Sequence, residues 1–271
     1  MKWRKAIAEP RIERAGEWLF EAHRRRDAFA PLPPEIAPRD VDDAYAIQGQ
    51  YVARRATTLG PVTGYKIALT TAAMRAMVGL NDSIAGDMME GTIRRGSTRV
   101  RSADYVRLIV EFEIGVELGE DLPAIGAPYD RKRVAQAVSA VMPALELADD
   151  RSADYTILPN NALMLIADNA WNEGSVLGAP VRDWRHIDLG ALQGFATVNG
   201  ANVGSGHGRD ALGHPFEAVA WIANNLAARG LGLWRGDVVI TGSLVTSKFP
   251  KAGDLVRFEA GELGAVELQV D

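Results

Sequence analysis

The sequence contains no cysteine and only 4 histidines. The absence of cysteine excludes disulfide bonds, thiolate metal sites and cysteine nucleophiles together. The histidines do not form a paired metal-binding motif, so a zinc site of the usual kind is a poor candidate. Any metal centre in this chain would therefore have to be built from oxygen ligands.

An excess of positive charge and long apolar runs are also missing. The formal net charge of -5 argues against nucleic-acid binding, because that binding depends on surplus Lys and Arg that neutralise phosphates. No run approaches the roughly 18 apolar residues that a membrane-spanning helix requires. The basic residues Lys2, Arg4 and Lys5 are not followed by an apolar stretch of signal-peptide length. We therefore expect a soluble cytoplasmic protein that binds neither nucleic acid nor a membrane.

What is present is a folded chain of 271 residues with 47% hydrophobic and 24% charged residues, enough to bury a sizeable core. Apolar residues recur at helical spacing in residues 15–22, and a second helix is predicted to follow a proline-rich break at residues 31–38. From about residue 61 the pattern favours strands. We predict a helical N-terminal part, residues 1–60, and a β-rich part, residues 61–271, that form one integrated unit.

The β-rich part is predicted to contain one especially clear strand, residues 108–118, whose even-numbered positions are all apolar. An Asn199-Gly200 pair predicts a tight hairpin turn within residues 194–203. The other predicted strands cover residues 64–69, 144–148, 237–240, 255–258 and 265–270, and the predicted helices cover residues 131–141, residues 216–228 and a short segment capped by Thr70.

Carboxylates occupy three of the five odd-numbered positions of the clearest strand. Glu111 and Glu113 are two residues apart, so their side chains leave the same face of the sheet about 7 Å apart. Periodicity alone also allows a plain polar outer face, which Glu117 would extend. Glu146 lies in an otherwise apolar run, where a carboxylate is costly to bury unless it is paired or binds a metal. Three carboxylates without sulfur or histidine suit Mg²⁺ or Mn²⁺, although spacing alone does not bring Glu146 to the other two.

Several short motifs follow one another in an order that is typical of one enzyme family. They lie at residues 64–67 (GYKI), 111–113 (EFE), 119–123 (GEDLP), 144–151, 167–170 (ADNA), 176–178, 212–215 (LGHP), 218–224 and 242–244. With them the chain resembles the fumarylacetoacetate hydrolase superfamily, in its hydratase and decarboxylase branch, over about residues 60–271. The resemblance implies an α+β fold: a mixed β-roll or distorted barrel of the fumarylacetoacetase C-terminal type with flanking helices.

The resemblance also implies functional residues. Glu111, Glu113 and Glu146 would be the ligands of Mg²⁺ or Mn²⁺. The other matching residues are Lys66 and Asp87 as catalytic groups and Asn169 and Ser243 as substrate-binding groups. Sequence alone leaves alternatives: a snorkelling lysine, an exposed loop aspartate, a capping asparagine and a structural serine turn. Relatives often carry a small serine shortly after the asparagine, where this chain has Trp171.

The activity that the resemblance implies is metal-dependent hydration of a 2-hydroxy-2,4-dienoate, a step of aromatic catabolism, to a 4-hydroxy-2-oxo acid. Three alternatives stay open: a 4-oxalocrotonate-type decarboxylase, an acylpyruvate C–C hydrolase and an inactive partner subunit. The expected ligand is a small 2-oxo acid. The family also implies a homo-oligomer, with a complex between related hydratase and decarboxylase subunits as a further option.

Overall fold

The computed structural model describes residues 9–271, so Lys2, Arg4 and Lys5 lie outside the described residues. The chain begins with two helices, α1 (Pro10–Arg25) and α2 (Val41–Leu59). Asp40 caps α2, because its side chain accepts a hydrogen bond from Asp43 N. The two helices touch closely: a Cβ placed on Gly16 would lie 2.4 Å from Gln50 Cβ. The N-terminal part is thus a helical pair.

The rest of the described chain alternates short helices with strands. The strands are β1 (Val62–Ala68), β2 (Ile84–Met89), β3 (Ile93–Arg95), β4 (Thr98–Val100), β5 (Leu108–Leu118), β6 (Val138–Asp149), β7 (Asn172–Leu177), β8 (Gln193–Val198), β9 (Ala201–His207), β10 (Val238–Ile240), β11 (Val245–Lys248), β12 (Leu255–Ala260) and β13 (Ala265–Val270). The further helices are α3 (Ala72–Val78), α4 (Arg131–Ala137), α5 (Ala162–Ala167) and α6 (Pro215–Ala228).

The strands form two mixed sheets. The larger has the order β2-β1-β10-β5-β6-β7-β3, with β11 added to β5, and the smaller has the order β4-β13-β12-β8-β9. This arrangement confirms the predicted α+β class, although across residues 9–271 neither sheet closes into a barrel. None of the helices in this range is both long and apolar enough to cross a membrane.

The long strand β5 separates the core from the face that carries the glutamates. Its even-numbered residues are buried, and the Phe112 ring lies 5.7 Å from the ring of Phe258 in the smaller sheet. The odd-numbered residues leave the opposite face, as the period of two requires. The apolar half of β5 therefore fixes the strand between the two sheets and presents Glu111 and Glu113 on the other side.

Some element boundaries differ from the sequence prediction. The helix predicted over residues 131–141 ends at Ala137, because Val138 to Val141 pair with β5 and start β6. Thr71, rather than Thr70, caps α3 through its contact with Met74 N. The strand β2 was not predicted, and it converts the supposed loop around Asp87 into a buried strand.

Candidate metal and active site

Three glutamates meet on the face of the larger sheet opposite the main core, beside a second, smaller cluster of buried apolar residues. Glu111 of β5 pairs directly with Glu146 of β6, and Glu113 is the next residue on the same face. Each of the three offers a carboxylate oxygen within 4.8 Å of the others. Glu113 and Glu146 have no exposed surface, whereas Glu111 is partly exposed. The pairing of β5 with β6 therefore brings Glu146 next to Glu111 and Glu113, which spacing in the sequence alone did not establish.

One oxygen of each glutamate is held by a hydrogen bond. Gly242 N donates to Glu113 Oε2 at 2.6 Å. Asn172 Nδ2 donates to Glu146 Oε1 at 2.9 Å. Ser247 Oγ donates to Glu111 Oε1 at 2.6 Å. These contacts orient the carboxylates and fix their positions.

Two other carboxylate oxygens, Glu113 Oε1 and Glu146 Oε2, are buried without a hydrogen-bond partner in residues 9–271. A buried carboxylate oxygen that no donor satisfies is costly. A divalent cation would satisfy both oxygens, and a donor set made only of carboxylates matches the preference of hard cations. The residues present therefore fit a Mg²⁺-type ion.

The protonation of the glutamates reflects their burial and mutual repulsion. Burial raises the pKa of Glu113 well above its usual range, and the charges of Glu146 and Glu111 raise it further. Burial also raises the pKa of Glu146, although the Lys66 ammonium opposes that rise. A cation among these groups would favour their ionised forms, since an opposite charge at this distance lowers a carboxyl pKa.

Lys66 reaches the same cluster from β1. Its Nζ lies 3.0 Å from Glu146 Oε1 and 3.5 Å from the carbonyl oxygen of Ala170, and the side chain is 3% exposed. Burial alone would lower the lysine pKa, but the charges of Glu146 and the other two glutamates outweigh burial, and the pKa is raised. The side chain is therefore a buried ammonium group beside the carboxylates.

Asp87 does not join this cluster. In the antiparallel pair of β1 and β2, Lys66 stands opposite Gly86 and Asp87 stands opposite Tyr65. Directly opposed residues share a face and neighbours along a strand alternate, so Asp87 points away from Lys66. Burial raises the pKa of Asp87 to about 6, although the charge of Arg229 opposes that rise. This register places the two side chains on opposite faces of the β1–β2 pair, and a catalytic role of Asp87 stays a prediction.

Asn169 lies beside the site, and its side chain forms hydrogen bonds with the backbone of Asp87. Its Oδ1 accepts from Asp87 N at 2.7 Å and its Nδ2 donates to the Asp87 carbonyl at 2.9 Å. Asn169, Ala170 and Trp171 all have positive φ, between 47° and 61°. The side chain of Asn169 thus ties β2 to a left-handed turn whose Ala170 carbonyl faces Lys66. Contact of Asn169 with a substrate stays a prediction.

Ser243 is placed next to the glutamates by the loop between β10 and β11. Its Oγ accepts from Phe112 N at 2.9 Å and donates to the Val245 carbonyl at 2.7 Å. The preceding residue, Gly242, supplies the N–H that binds Glu113. In the structure Ser243 therefore anchors this loop to β5, and its contact with a substrate also stays a prediction.

Three polar residues near the cluster were missed at the sequence level. Asn172 and Ser247 bind glutamates directly, and Ser175 stands opposite Glu146 in β7 with a buried Oγ that has no partner in the described chain. None of them belongs to a charged motif, and each reaches the site through pairing with a strand distant in sequence. An assignment of β7 as the neighbour of β6 would have revealed Asn172 and Ser175.

Comparison with known proteins agrees with this geometry. A model of the fumarylacetoacetate (FAA) hydrolase C-terminal family matches residues 70–271. The chain is 30% identical over 259 residues to a 2-keto-4-pentenoate hydratase of Paraburkholderia xenovorans, covering 96% of this chain and 94% of that one. It is 31% identical over 260 residues to a 2-hydroxyhexa-2,4-dienoate hydratase of Comamonas testosteroni, covering 95% and 97%.

Among solved structures, the fold is similar to that of a 4-oxalocrotonate decarboxylase from Pseudomonas putida complexed with magnesium and adipate. The TM-score is 0.87 and the sequence identity 25%, with 96% of this chain and 97% of that chain covered. The similarity includes the N-terminal helices, because it extends over nearly the whole chain.

Proposed function

Because the chain belongs to the fumarylacetoacetate hydrolase family, we propose that it is a metal-dependent hydratase. The reaction is the addition of water to a 2-hydroxy-2,4-dienoate, through its 2-oxo-4-enoate form, to give a 4-hydroxy-2-oxo acid. The observation that carries the proposal is the cluster of Glu111, Glu113 and Glu146 with Lys66 in contact. The two hydratases that are similar to this chain over more than nine-tenths of its length support the choice of substrate class.

The proposed cofactor is Mg²⁺ or Mn²⁺, held by the three glutamates. The unpartnered oxygens Glu113 Oε1 and Glu146 Oε2 support this assignment, and so does the magnesium complex of the similar decarboxylase. When bound, the ion supplies Lewis-acid stabilisation of the enolate that the reaction passes through.

The protein side chains would position the substrate and move the proton. Lys66 Nζ is buried against Glu146, so its ammonium is placed to neutralise charge on the 2-oxygen and to exchange a proton with the substrate. Asn169 and Ser243 would serve binding by fixing the backbone on either side of the cluster. The burial of Glu113 and Glu146 would hold the ion away from bulk water.

Turnover of 2-hydroxypenta-2,4-dienoate, followed by ultraviolet absorbance, tests the proposal. We expect EDTA to stop the loss of dienol absorbance, Mg²⁺ or Mn²⁺ to restore it, and a hydrated 2-oxo acid to accumulate. Glu113→Gln should abolish turnover. Glu117→Gln is the matched control, because Glu117 shares the strand and face but binds Ser139 and surface arginines instead. Turnover that survives both EDTA and Glu113→Gln would sink the proposal.

A 4-oxalocrotonate-type decarboxylase is the second candidate, favoured by the 0.87 TM-score to such an enzyme. The same enolate stabilisation would serve the loss of CO₂ from a diacid. Release of CO₂ from 4-oxalocrotonate, with no hydration of the pentadienoate, would select this activity. Cleavage of acylpyruvates would instead select the C–C hydrolase, and metal binding without any turnover would select the inactive partner subunit.

We further propose that the protein works in the cytoplasm as a homo-oligomer, with a related decarboxylase or hydratase as an optional partner. Light scattering coupled to size-exclusion chromatography measures the mass of the purified protein in solution. A mass equal to the 29.3 kDa monomer at micromolar concentration would refute the homo-oligomer.

A further inference from the structure

On the glutamate face of the larger sheet, the pair of residues next to the cluster is apolar. Ile109 pairs with Ala148, one step beyond the Glu111–Glu146 pair, and residues two apart on a strand share a face. Both side chains are almost fully buried, at 5% and 6% exposed. A substrate whose oxygens lie at the glutamates would therefore meet apolar surface about 7 Å farther along the strands.

Beyond this apolar pair lies a group of aromatic side chains, which we call the aromatic rim: Tyr155, Trp171 and Phe249. The Tyr155 and Trp171 rings are stacked with centroids 6.0 Å apart. Arg107, two residues beyond Ile109, joins the rim, because its guanidinium lies 5.6 Å from the ring centroids of both Tyr155 and Phe249. Tyr155 and Phe249 are 42% and 49% exposed and lie on either side of the Arg107 guanidinium, so they form one exposed aromatic patch.

The aromatic rim is connected to the glutamate cluster on both sides. Trp171 directly precedes Asn172, which binds Glu146, and Phe249 follows two residues after Ser247, which binds Glu111. The charge of Glu111 is also among the influences that raise the pKa of Tyr155, after burial and Asp150. The rim is therefore adjacent to the proposed metal site, connected to it through Asn172 and Ser247.

The rim offers apolar surface and no free positive charge to a ligand. Arg107 is bound by Asp150, with Nε at 2.7 Å from Oδ1 and a second bond to Oδ2, so its charge is compensated. Tyr155 donates its hydroxyl proton to the same carboxylate at 2.6 Å. With Arg107 and Tyr155 bound to Asp150, the ring faces and the stem of Arg107 supply most of the surface left for binding. Trp171 Nε1 is a buried donor without a hydrogen-bond partner in residues 9–271.

We propose that the aromatic rim binds the end of the substrate remote from its carboxylate, and that this end carries an apolar substituent rather than a second carboxylate. Trp171 is the specificity-determining residue, since it connects the rim to the turn beside Lys66. The inference rests on the proposed function, because it takes the glutamates as the site that holds the oxygens of the 2-oxo acid.

Three substrates that differ only at C5 test the inference: 2-hydroxypenta-2,4-dienoate, its C5-methyl homologue 2-hydroxyhexa-2,4-dienoate, and the C5-carboxymethyl compound 2-hydroxyhepta-2,4-diene-1,7-dioate. We expect kcat/KM for the methyl compound to exceed that of the parent by about fourfold, the effect of burying one methyl group. The kcat/KM for the dioate should be at least about tenfold lower than that for the methyl compound. The second carboxylate of the dioate would lose its hydration water at the rim without gaining a positively charged partner.

Trp171→Ala and Phe249→Ala should each reduce the methyl-to-parent ratio of kcat/KM toward one. The ratio is taken within one variant, so a loss of folded protein lowers both kcat/KM values equally and leaves the ratio unchanged. Trp234→Ala is the matched control, because Trp234 is 51% exposed and precedes β10, which pairs with the opposite end of β5. A preference for the dioate, or a methyl-to-parent ratio unchanged in both rim variants, would overturn the inference.

Failure of the proposed function is a separate outcome. If no dienoate is hydrated, the rim is tested by calorimetric binding of 2-oxohexanoate and 2-oxoadipate to the Mg²⁺-loaded protein. These ligands differ only in a terminal methyl or carboxylate group. Tighter binding of 2-oxohexanoate, weakened by Trp171→Ala, supports the rim without hydratase activity, and equal or reversed affinities overturn it.

Discussion

At the scale of single residues, the buried ammonium of Lys66 is the group on which catalysis should depend most. It is 3% exposed, and Glu146 lies 3.0 Å away. Replacement by methionine keeps most of the length of the side chain and removes the ammonium group with its protons and charge. We expect Lys66→Met to lower kcat by about 10²- to 10⁴-fold, the usual contribution of a proton-transfer group.

Measurement of Mg²⁺ binding distinguishes a catalytic role of Lys66 from a structural one. The glutamates remain in Lys66→Met, so Mg²⁺ should still raise the thermal unfolding temperature of the variant, as it should for the unaltered protein. A variant that loses both turnover and the response to Mg²⁺ would indicate that Lys66 mainly holds the carboxylates in place.

Asp87 is expected to affect stability rather than turnover. Burial raises its pKa to about 6, whereas an unfolded aspartate titrates near 3.9. The native state therefore holds this proton more tightly, so the free energy of unfolding falls as pH rises from about 4 to about 6, by roughly 3 kcal/mol at most. Asp87→Asn should be more stable than the unaltered protein at pH 7.5 and equally stable at pH 4, measured by urea unfolding.

The same variant tests whether Asp87 takes part in catalysis. Because Asp87 faces away from Lys66, Asp87→Asn should keep kcat within about threefold of the unaltered enzyme. A tenfold loss of kcat would correspond to an increase of about 1.4 kcal/mol in the activation free energy. A loss of turnover as large as that of Lys66→Met would support the catalytic assignment, and a stability gain that does not depend on pH would refute the burial argument.

The sequence predicted some of these residues better than others. A period of two places Glu111 and Glu113 on one face, and the apolar run around Glu146 singles out that carboxylate. The family resemblance added their role as metal ligands and Lys66, whose Nζ the structure places in contact with Glu146. The orientation of Asp87 depends on the pairing of β1 with β2, where a slip of one residue would turn every side chain to the other face. Asn172 and Ser247 reach the glutamates only through strand pairing, which local pattern does not contain.

At the scale of elements, the contact between β2 and the turn at residues 169–171 requires a glycine. A Cβ on Gly86 would lie 2.7 Å from the Asn169 carbonyl oxygen and 3.1 Å from Lys66 Cδ. The backbone oxygen cannot yield easily, so we expect Gly86→Ala to shift the turn and the lysine. Turnover should fall by more than about tenfold, while far-ultraviolet circular dichroism stays unchanged.

Gly49→Ala is the matched control for this close approach. A Cβ at Gly49, in the middle of α2, would meet nothing within 4 Å. Alanine there should raise the free energy of unfolding by about 0.5–1 kcal/mol, because it restricts the unfolded chain more than glycine does, and turnover should be unaffected. Unchanged turnover in Gly86→Ala would show that the turn does not need this spacing.

Elements with strong local patterns were predicted well, and those fixed by distant pairing were not. The bounds of β5 follow from its alternation, and the hairpin turn at Asn199 and Gly200 has φ values of 52° and 78°, as an Asn-Gly turn requires. The helix predicted to reach residue 141 ends at Ala137, because the valine-rich run that follows gains backbone hydrogen bonds from β5. Pairing with a distant strand thus overrides local helical periodicity.

At the scale of the whole molecule, buried ion pairs join the N-terminal helices to the segment that carries the site. His23 Nε2 of α1 lies 2.6 Å from Asp168 Oδ1, and its Nδ1 lies 3.1 Å from Glu173 Oε1. Arg151 donates to the second oxygen of Asp168 at 2.6 Å. Asp168 and Glu173 bracket the turn that carries Asn169, so α1 contacts the segment next to the site. The sequence predicted one integrated unit, but not this connection, because its members lie far apart in sequence.

His23 gives this connection a pH dependence with a defined sign. Burial lowers the pKa of His23, but the carboxylates of Asp168 and Glu173 raise it more, and the net shift is upward. The stabilisation is therefore complete below pH 6.5, where the unfolded histidine is also protonated, and it is lost as pH rises through the folded-state pKa. We expect His23→Gln to lower the free energy of unfolding by about 1–3 kcal/mol at pH 6 and by less at pH 9, measured by urea unfolding at both pH values.

A second histidine shows whether this effect comes from the buried pairs. His186 is 58% exposed and lies 3.4 Å from the exposed Glu262, so His186→Gln should change the free energy of unfolding by less than about 0.5 kcal/mol at either pH. An equal loss at pH 6 and pH 9 in His23→Gln would mean that packing of α1, and not the charge of the imidazole, joins it to the turn at residues 169–171. In that case the N-terminal helices would support the site by shape alone, and turnover of the intact enzyme would show no pH dependence from His23.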